Sequence, residues 1–154
     1  MPIWTGYFAN SGSPAVKIRV SGPITKGKEF EAILDTGFTG FLSMPLVQAI
    51  AVGLILHGTT TISLADGSTS YRLTARGMVN IEGESNVGVV ILEPSSNELL
   101  LGMAFLRQFK RALFVSEFGV MLTDEEELKK AIAAAMAQPS APASSSSVPN
   151  PPSA

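Results

Sequence analysis

The sequence has no cysteine, a single histidine (His57) and no hydrophobic run long enough to cross a membrane. Without cysteine there is no disulfide scaffold, zinc ribbon, iron–sulfur site or thiol nucleophile. With one histidine a His-rich metal site is excluded, and a Ser-His-Asp hydrolase would have to rest on His57 alone. The longest aliphatic run, Ile50 to Leu56, contains Gly53, whereas a spanning helix needs about 20 apolar residues. The opening Met1-Pro2-Ile3-Trp4-Thr5-Gly6 lacks the basic and apolar regions of a secretory leader. The expectation is a soluble, cytoplasmic protein with no membrane partner. Charge is also scarce: charged residues make up 16%, with 11 basic and 13 acidic side chains and a formal net charge of -2. A nucleic-acid binder that neutralises phosphates carries a basic surplus, so no nucleic-acid partner is expected.

What remains is ordinary for a globular chain: 154 residues, 45% of them hydrophobic, a size that suits one domain. Composition changes at Pro139. From there to Ala154, 11 of 16 residues are Pro or Ser and none is charged. That stretch has almost nothing to bury and reads as a disordered tail, 139–154. Before it, residues 124–138 read as a helix. Thr123 with Glu126 fits a capping box, the acidic run 124–127 suits the positive end of the helix dipole, and Leu128, Ile132 and Ala135 or Met136 form a thin apolar stripe.

Residues 1–123 read as mostly β. Ala15–Val20 and Phe30–Leu34 are strands, and Pro45 opens a short helix over Leu46–Ala51. Thr59–Ala65 and Ser68–Ala75 flank Asp66-Gly67, a strong hairpin signal. Met78–Glu82 and Val87–Leu92 flank a turn at Gly83-Glu84, with His57 in a loop. Leu99–Leu101 is a short strand closed by Gly102. Met103–Phe109 fits a short helix, and Ala112–Val115 with Val120–Thr123 make a last hairpin. About eight short strands and two short helices indicate a barrel or a sandwich.

One segment carries chemistry: Ala32-Ile33-Leu34-Asp35-Thr36-Gly37-Phe38-Thr39-Gly40. An acid directly after an apolar strand is costly to bury unless it is hydrogen-bonded or shares a proton. Gly37 lets the chain turn and brings a backbone N–H to the carboxylate, and Thr36 supplies a hydroxyl. Read blandly, Asp35 caps a turn, Thr36 bonds locally, Tyr71 packs, and Trp4, Tyr7 and Phe8 belong to the core. Asp-Thr-Gly gains weight from its order with the hairpin tip Leu64-Ala65-Asp66-Gly67-Ser68, the strand Leu99-Leu100-Leu101-Gly102 and the helix after it.

In this order, over roughly Ala15 to Thr123, the chain resembles the retropepsin-like aspartic proteases, and the bacterial ones more closely through the continuation Phe38-Thr39-Gly40. The resemblance implies a mostly β, single-domain acid-protease barrel with one or two short helices, to which the C-terminal helix is added. It makes Asp35 the catalytic acid, Thr36 the residue that braces two active-site loops, and Gly37 the turn. Leu100-Leu101-Gly102 becomes the strand threading the acid loop. Phe38, Leu64, Ala65, Asp66 and Gly67 become cleft and flap residues. The viral Ala-Asp-Asp continuation is absent, and Met103-Ala104 follows Gly102, so the acid–arginine support of viral members is missing. The chemistry needs two carboxylates and the chain has one such motif, so the resemblance implies a homodimer hydrolysing polypeptide, with no cofactor and no metal. The competing class is a catalytically silent peptide-binding or assembly module on the same fold.

Overall fold

A computed structural model describes residues 3–137. Among these, eleven strands and three helices follow in the order β1 (Trp4–Thr5), β2 (Tyr7–Phe8), β3 (Pro14–Ser21), β4 (Lys28–Leu34), β5 (Leu42–Pro45), α1 (Leu46–Ala51), β6 (Ile55–Ser63), β7 (Thr69–Ile81), β8 (Glu84–Glu93), β9 (Leu99–Leu101), α2 (Met103–Gln108), β10 (Arg111–Ser116), β11 (Gly119–Asp124) and α3 (Glu125–Ala137). The expected tail, 139–154, lies outside the described residues.

The main sheet runs β2-β3-β4-β9-β5-β8-β7-β6, and β3 also pairs with β7. That pairing closes β3, β4, β9, β5, β8 and β7 into a barrel. Alternation along the strands sends Val16, Ile18, Val20, Ala32, Leu34, Leu42, Met44, Val79, Val90 and Leu101 into its interior. A smaller sheet, β1-β11-β10, closes one end. Trp4 of β1 is buried there, edge-on to Phe109 at 5.4 Å, so its role is core packing.

Several boundaries differ from the sequence reading, each for a packing reason. The segments 68–75 and 78–82 are one strand, β7, because its ladder with β8 runs unbroken through the pair Gly77 and Gly88. β6 starts at Ile55, so His57 is not in a loop. It lies where the register of β6 slips against β7 between Leu56 and Gly58, and it is exposed. The turn before β8 is Glu82-Gly83, both with positive φ, and Glu84 already pairs with Ile81. β11 extends to Asp124, which pairs with Arg111. This holds Thr123 in the sheet, and the cap of α3 passes to Asp124, whose Oδ1 accepts the N–H groups of Glu126 at 3.0 Å and Glu127 at 3.1 Å. These bonds, Glu127's foremost, with the nearby Arg111 charge, hold the Asp124 carboxyl below its ordinary pKa. No residue of α3 is buried. No described helix is long and apolar enough to cross a membrane.

Candidate active site

β4 is an interior strand and Leu34, at its end, is buried. Asp35 therefore emerges at a fixed point. Its N–H donates to the Leu101 carbonyl at 2.9 Å, the Gly37 N–H donates to Asp35 Oδ1 at 2.9 Å, and the Phe38 N–H donates to the Asp35 carbonyl at 3.1 Å. Asp35 is half-buried, while Thr36 and Gly37 are exposed. The carboxylate is thus held by a backbone donor and left open on its other oxygen.

The rest of the loop is held by the segment that threads past it. β9 lies between β4, to which it is parallel, and β5, to which it is antiparallel. The chain then turns at Gly102 into α2. The first N–H groups of a helix have no partner within it. Here the loop supplies them: Met103 donates to the Phe38 carbonyl at 2.8 Å, Ala104 to those of Thr39 and Gly40 at 3.2 Å each, and Gly102 to that of Phe41 at 3.3 Å. The helix start and the acid loop satisfy each other. Gly102 is required for the close approach, since a Cβ there would stand 2.3 Å from the Gly40 oxygen and 2.4 Å from the Phe38 oxygen. Gly102→Ala is accordingly expected to displace the loop. It should cost about 1–3 kcal/mol in denaturant unfolding, and about a hundredfold in any activity that depends on Asp35.

Strand register defines what shares a face with Asp35. Ile33 lies two residues before it on β4. Leu100 pairs with Ile33, Ser43 with Leu100, Ile91 with Ser43, and Thr74 with Ile91. Paired residues point to the same side, so Ile33 and Leu100 share the outward side of β4 and β9 with Asp35, and the row continues around the barrel through Ser43, Ile91 and Thr74. Phe38 is half-buried; its ring lies over Gly40 and Gly102, so it packs the loop as much as it lines a cleft.

Leu64, Ala65, Asp66 and Gly67 form the tip of the β6–β7 hairpin. The Leu64 N–H donates to the Ser68 carbonyl at 2.8 Å, the Gly67 N–H to the Leu64 carbonyl at 3.0 Å, and the Ser68 N–H to Asp66 Oδ1 at 2.9 Å. Gly67 takes φ +82°, which this tight turn needs. The Ser68 hydroxyl and N–H together lower the pKa of the Asp66 carboxyl. Thus the expected residues fall into two groups, the acid loop and the hairpin tip, and among the described residues no hydrogen bond joins them.

Thr36 also lines a hollow of about 290 Å³ with Met103, Arg107, Ala112, Leu113 and Glu125. The exposed side of the acid loop therefore adjoins β10 and the start of α3. A larger, apolar hollow of about 500 Å³, lined by Pro23, Ile55, Leu56, Met78 and Val87, lies on the barrel flank and includes no residue of the acid loop. No cluster of three or more His, Asp or Glu side chains that could hold a metal occurs among the described residues. Sequence reasoning missed the backbone donors of residues 102–104, because nothing in side-chain identity marks them beyond Gly102 itself.

A closed barrel with an acid loop at a strand end, crossed by a short apolar strand ending in Gly and followed by a helix, is the retropepsin-like fold. Among solved structures, a retropepsin-like aspartic protease from Rickettsia conorii is similar to this chain with a TM-score of 0.58 and 15% identity, covering 80% of this chain and 91% of that one. EIAV protease complexed with the inhibitor HBY-793 is similar with a TM-score of 0.53 and 13% identity, covering 70% of this chain and 98% of that one. No family model matches the sequence, and no curated protein matches it.

Proposed function

We propose that the chain is an aspartic endopeptidase that works as a homodimer, with Asp35 of each copy forming the catalytic pair. The observation that carries this reading is the setting of Asp35: half-buried at a strand end, its loop tied by backbone hydrogen bonds, with Thr36 exposed beside it. Each chain offers one such acid. Two like charges about 3 Å apart cannot both ionise, so the pair holds one proton. The ionised carboxylate takes a proton from a water as its oxygen attacks the scissile carbonyl carbon, and the protonated one donates to the carbonyl oxygen. The resulting diol collapses by breaking the C–N bond as a proton passes to the leaving nitrogen. Thr36 braces the two loops and Gly37 holds the carboxylate. The β6–β7 hairpin acts as the flap, with Leu64, Ala65, Asp66 and Gly67 closing over an extended polypeptide. Ile33, Leu100 and Phe38 favour apolar side chains beside the cut. Activity is expected from acid to neutral pH. The location proposed with this function is the cytoplasm.

The test is incubation with unfolded casein between about pH 4 and 7, with and without a statine-type transition-state mimic. Fragments suppressed by the mimic support the reading; binding without fragments replaces it with the silent module. A dimer-built site also predicts that specific activity falls on dilution below the dimer dissociation constant. Constant specific activity across the dilution series would count against a shared site.

A further inference from the structure

The ladder between β7 and β8 runs from the pair Ile81–Glu84 up to Thr74–Ile91 and stops there. Beyond it, residues 69–73 of β7 pair only with β6. This is where the hairpin leaves the barrel. The next same-side position on each strand is Arg72 and Glu93. Their side chains meet across the gap, with Arg72 Nε donating to Glu93 Oε2 at 2.9 Å. The same guanidinium donates through Nη1 to the Tyr71 carbonyl at 3.0 Å and to the Ser70 hydroxyl. The ion pair is three-quarters or more buried, at 20% and 23% side-chain exposure. It therefore suffers less screening than an exposed pair. By register, both residues lie on the side of their strands turned away from the barrel interior.

We infer that Arg72 and Glu93 are positioning residues that clasp the root of the hairpin and set its angle over Asp35. The inference rests on the protease reading for its link to catalysis, but not for its effect on the hairpin. Where backbone pairing ends, this pair is the tether that continues it. The guanidinium fork binds the barrel through Glu93 and the hairpin strand through Tyr71 and Ser70, so it transmits position from one to the other. Neither side chain needs to touch the substrate. With the clasp open, the hairpin spends less time in the closed position, which weakens substrate binding more than the chemical step.

The experiment compares wild type, Arg72→Met, Glu93→Gln and the charge-swapped Arg72→Glu/Glu93→Arg. Casein-peptide kinetics and amide hydrogen exchange over residues 59–71 are the two main readouts, and the thermal unfolding midpoint is recorded beside them. The expected result is a rise in KM of about fivefold with kcat within about twofold for each single variant. Exchange should be faster over 59–71 and unchanged in β4 and β9, with both readouts moved back toward wild type in the swap. A purely structural pair would lower the unfolding midpoint without changing KM. Unchanged exchange over 59–71 in both single variants overturns the inference, whether or not the protein cleaves peptides. Wild-type inactivity with faster exchange in the variants would sink the protease reading and leave the clasp standing.

Discussion

Replacing Asp35 by Asn is expected to lower the rate of peptide cleavage by at least about a thousandfold, within the range that a positioned acid–base group supplies. The amide is nearly isosteric with the carboxylate, and its oxygen still accepts the Gly37 N–H that bonds Asp35 Oδ1 at 2.9 Å. The bonds from Asp35 N–H to Leu101 and from Phe38 N–H to the Asp35 carbonyl involve backbone only. The loop should therefore keep its shape, and the unfolding midpoint should stay close to wild type. What disappears is the group proposed to exchange protons with water and substrate. Circular dichroism and sedimentation establish that fold and assembly persist, and the casein assay reads the loss. Retained cleavage in a folded Asp35→Asn protein would reject the mechanism outright.

The largest expected stability effect lies at Arg111, behind the acid loop. Its guanidinium is buried. It pairs through Nη2 with Glu84 Oε2 at 2.8 Å and through Nη1 with Asp124 Oδ2 at 3.1 Å, and it lies over the Trp4 ring at 4.0 Å. One side chain thus joins the start of β8, the end of β11, the cap of α3 and the packing of β1. Removing one member of a buried ion network leaves the others without a counter-charge. Arg111→Ala should therefore cost about 3–5 kcal/mol. For a chain of this length the thermal midpoint should fall by about 10–15 °C. Arg111→Lys should restore only part of it, because a single ammonium lacks the planar fork that reaches both carboxylates. A midpoint within about 2 °C of wild type for Arg111→Ala would show that the network carries no net stability. Arg111 also lines the hollow that Thr36 borders, so the same change should loosen the base of the proposed dimer contact.

Much of the barrel is legible in the sequence because its signals are local. The alternation in Ala15–Val20, the apolar run ending at Asp35, the Asp66-Gly67 turn and the Leu-Leu-Leu-Gly segment each declare themselves within a few residues. β5 does not: four residues following Phe41 carry too short a pattern, and its pairing with β8 and β9 is set by chain 50 residues or so away. Gly77 looks like a break in β7, but its ladder partner in β8 is another glycine, Gly88. A glycine there is needed because a Cβ at Gly88 would stand 2.2 Å from the Phe41 ring. Thr123 was the natural cap by residue type, yet one more rung of β11 gives that role to Asp124. The ion pairs Arg72–Glu93 and Arg111–Glu84 join residues 21 and 27 positions apart. No local pattern marks such partners. The acid itself was legible as Asp-Thr-Gly; the way α2 holds its loop was not, because that work is done by backbone N–H groups.

The most direct measurement mixes wild type with Asp35→Asn under conditions that allow subunits to exchange. If each active site takes one Asp35 from each of two chains, an equal mixture contains about one quarter wild-type pairs, and activity falls to about one quarter of that of the same total amount of wild type. If each chain acts alone, activity falls only to about one half, and the shared acid pair is contradicted.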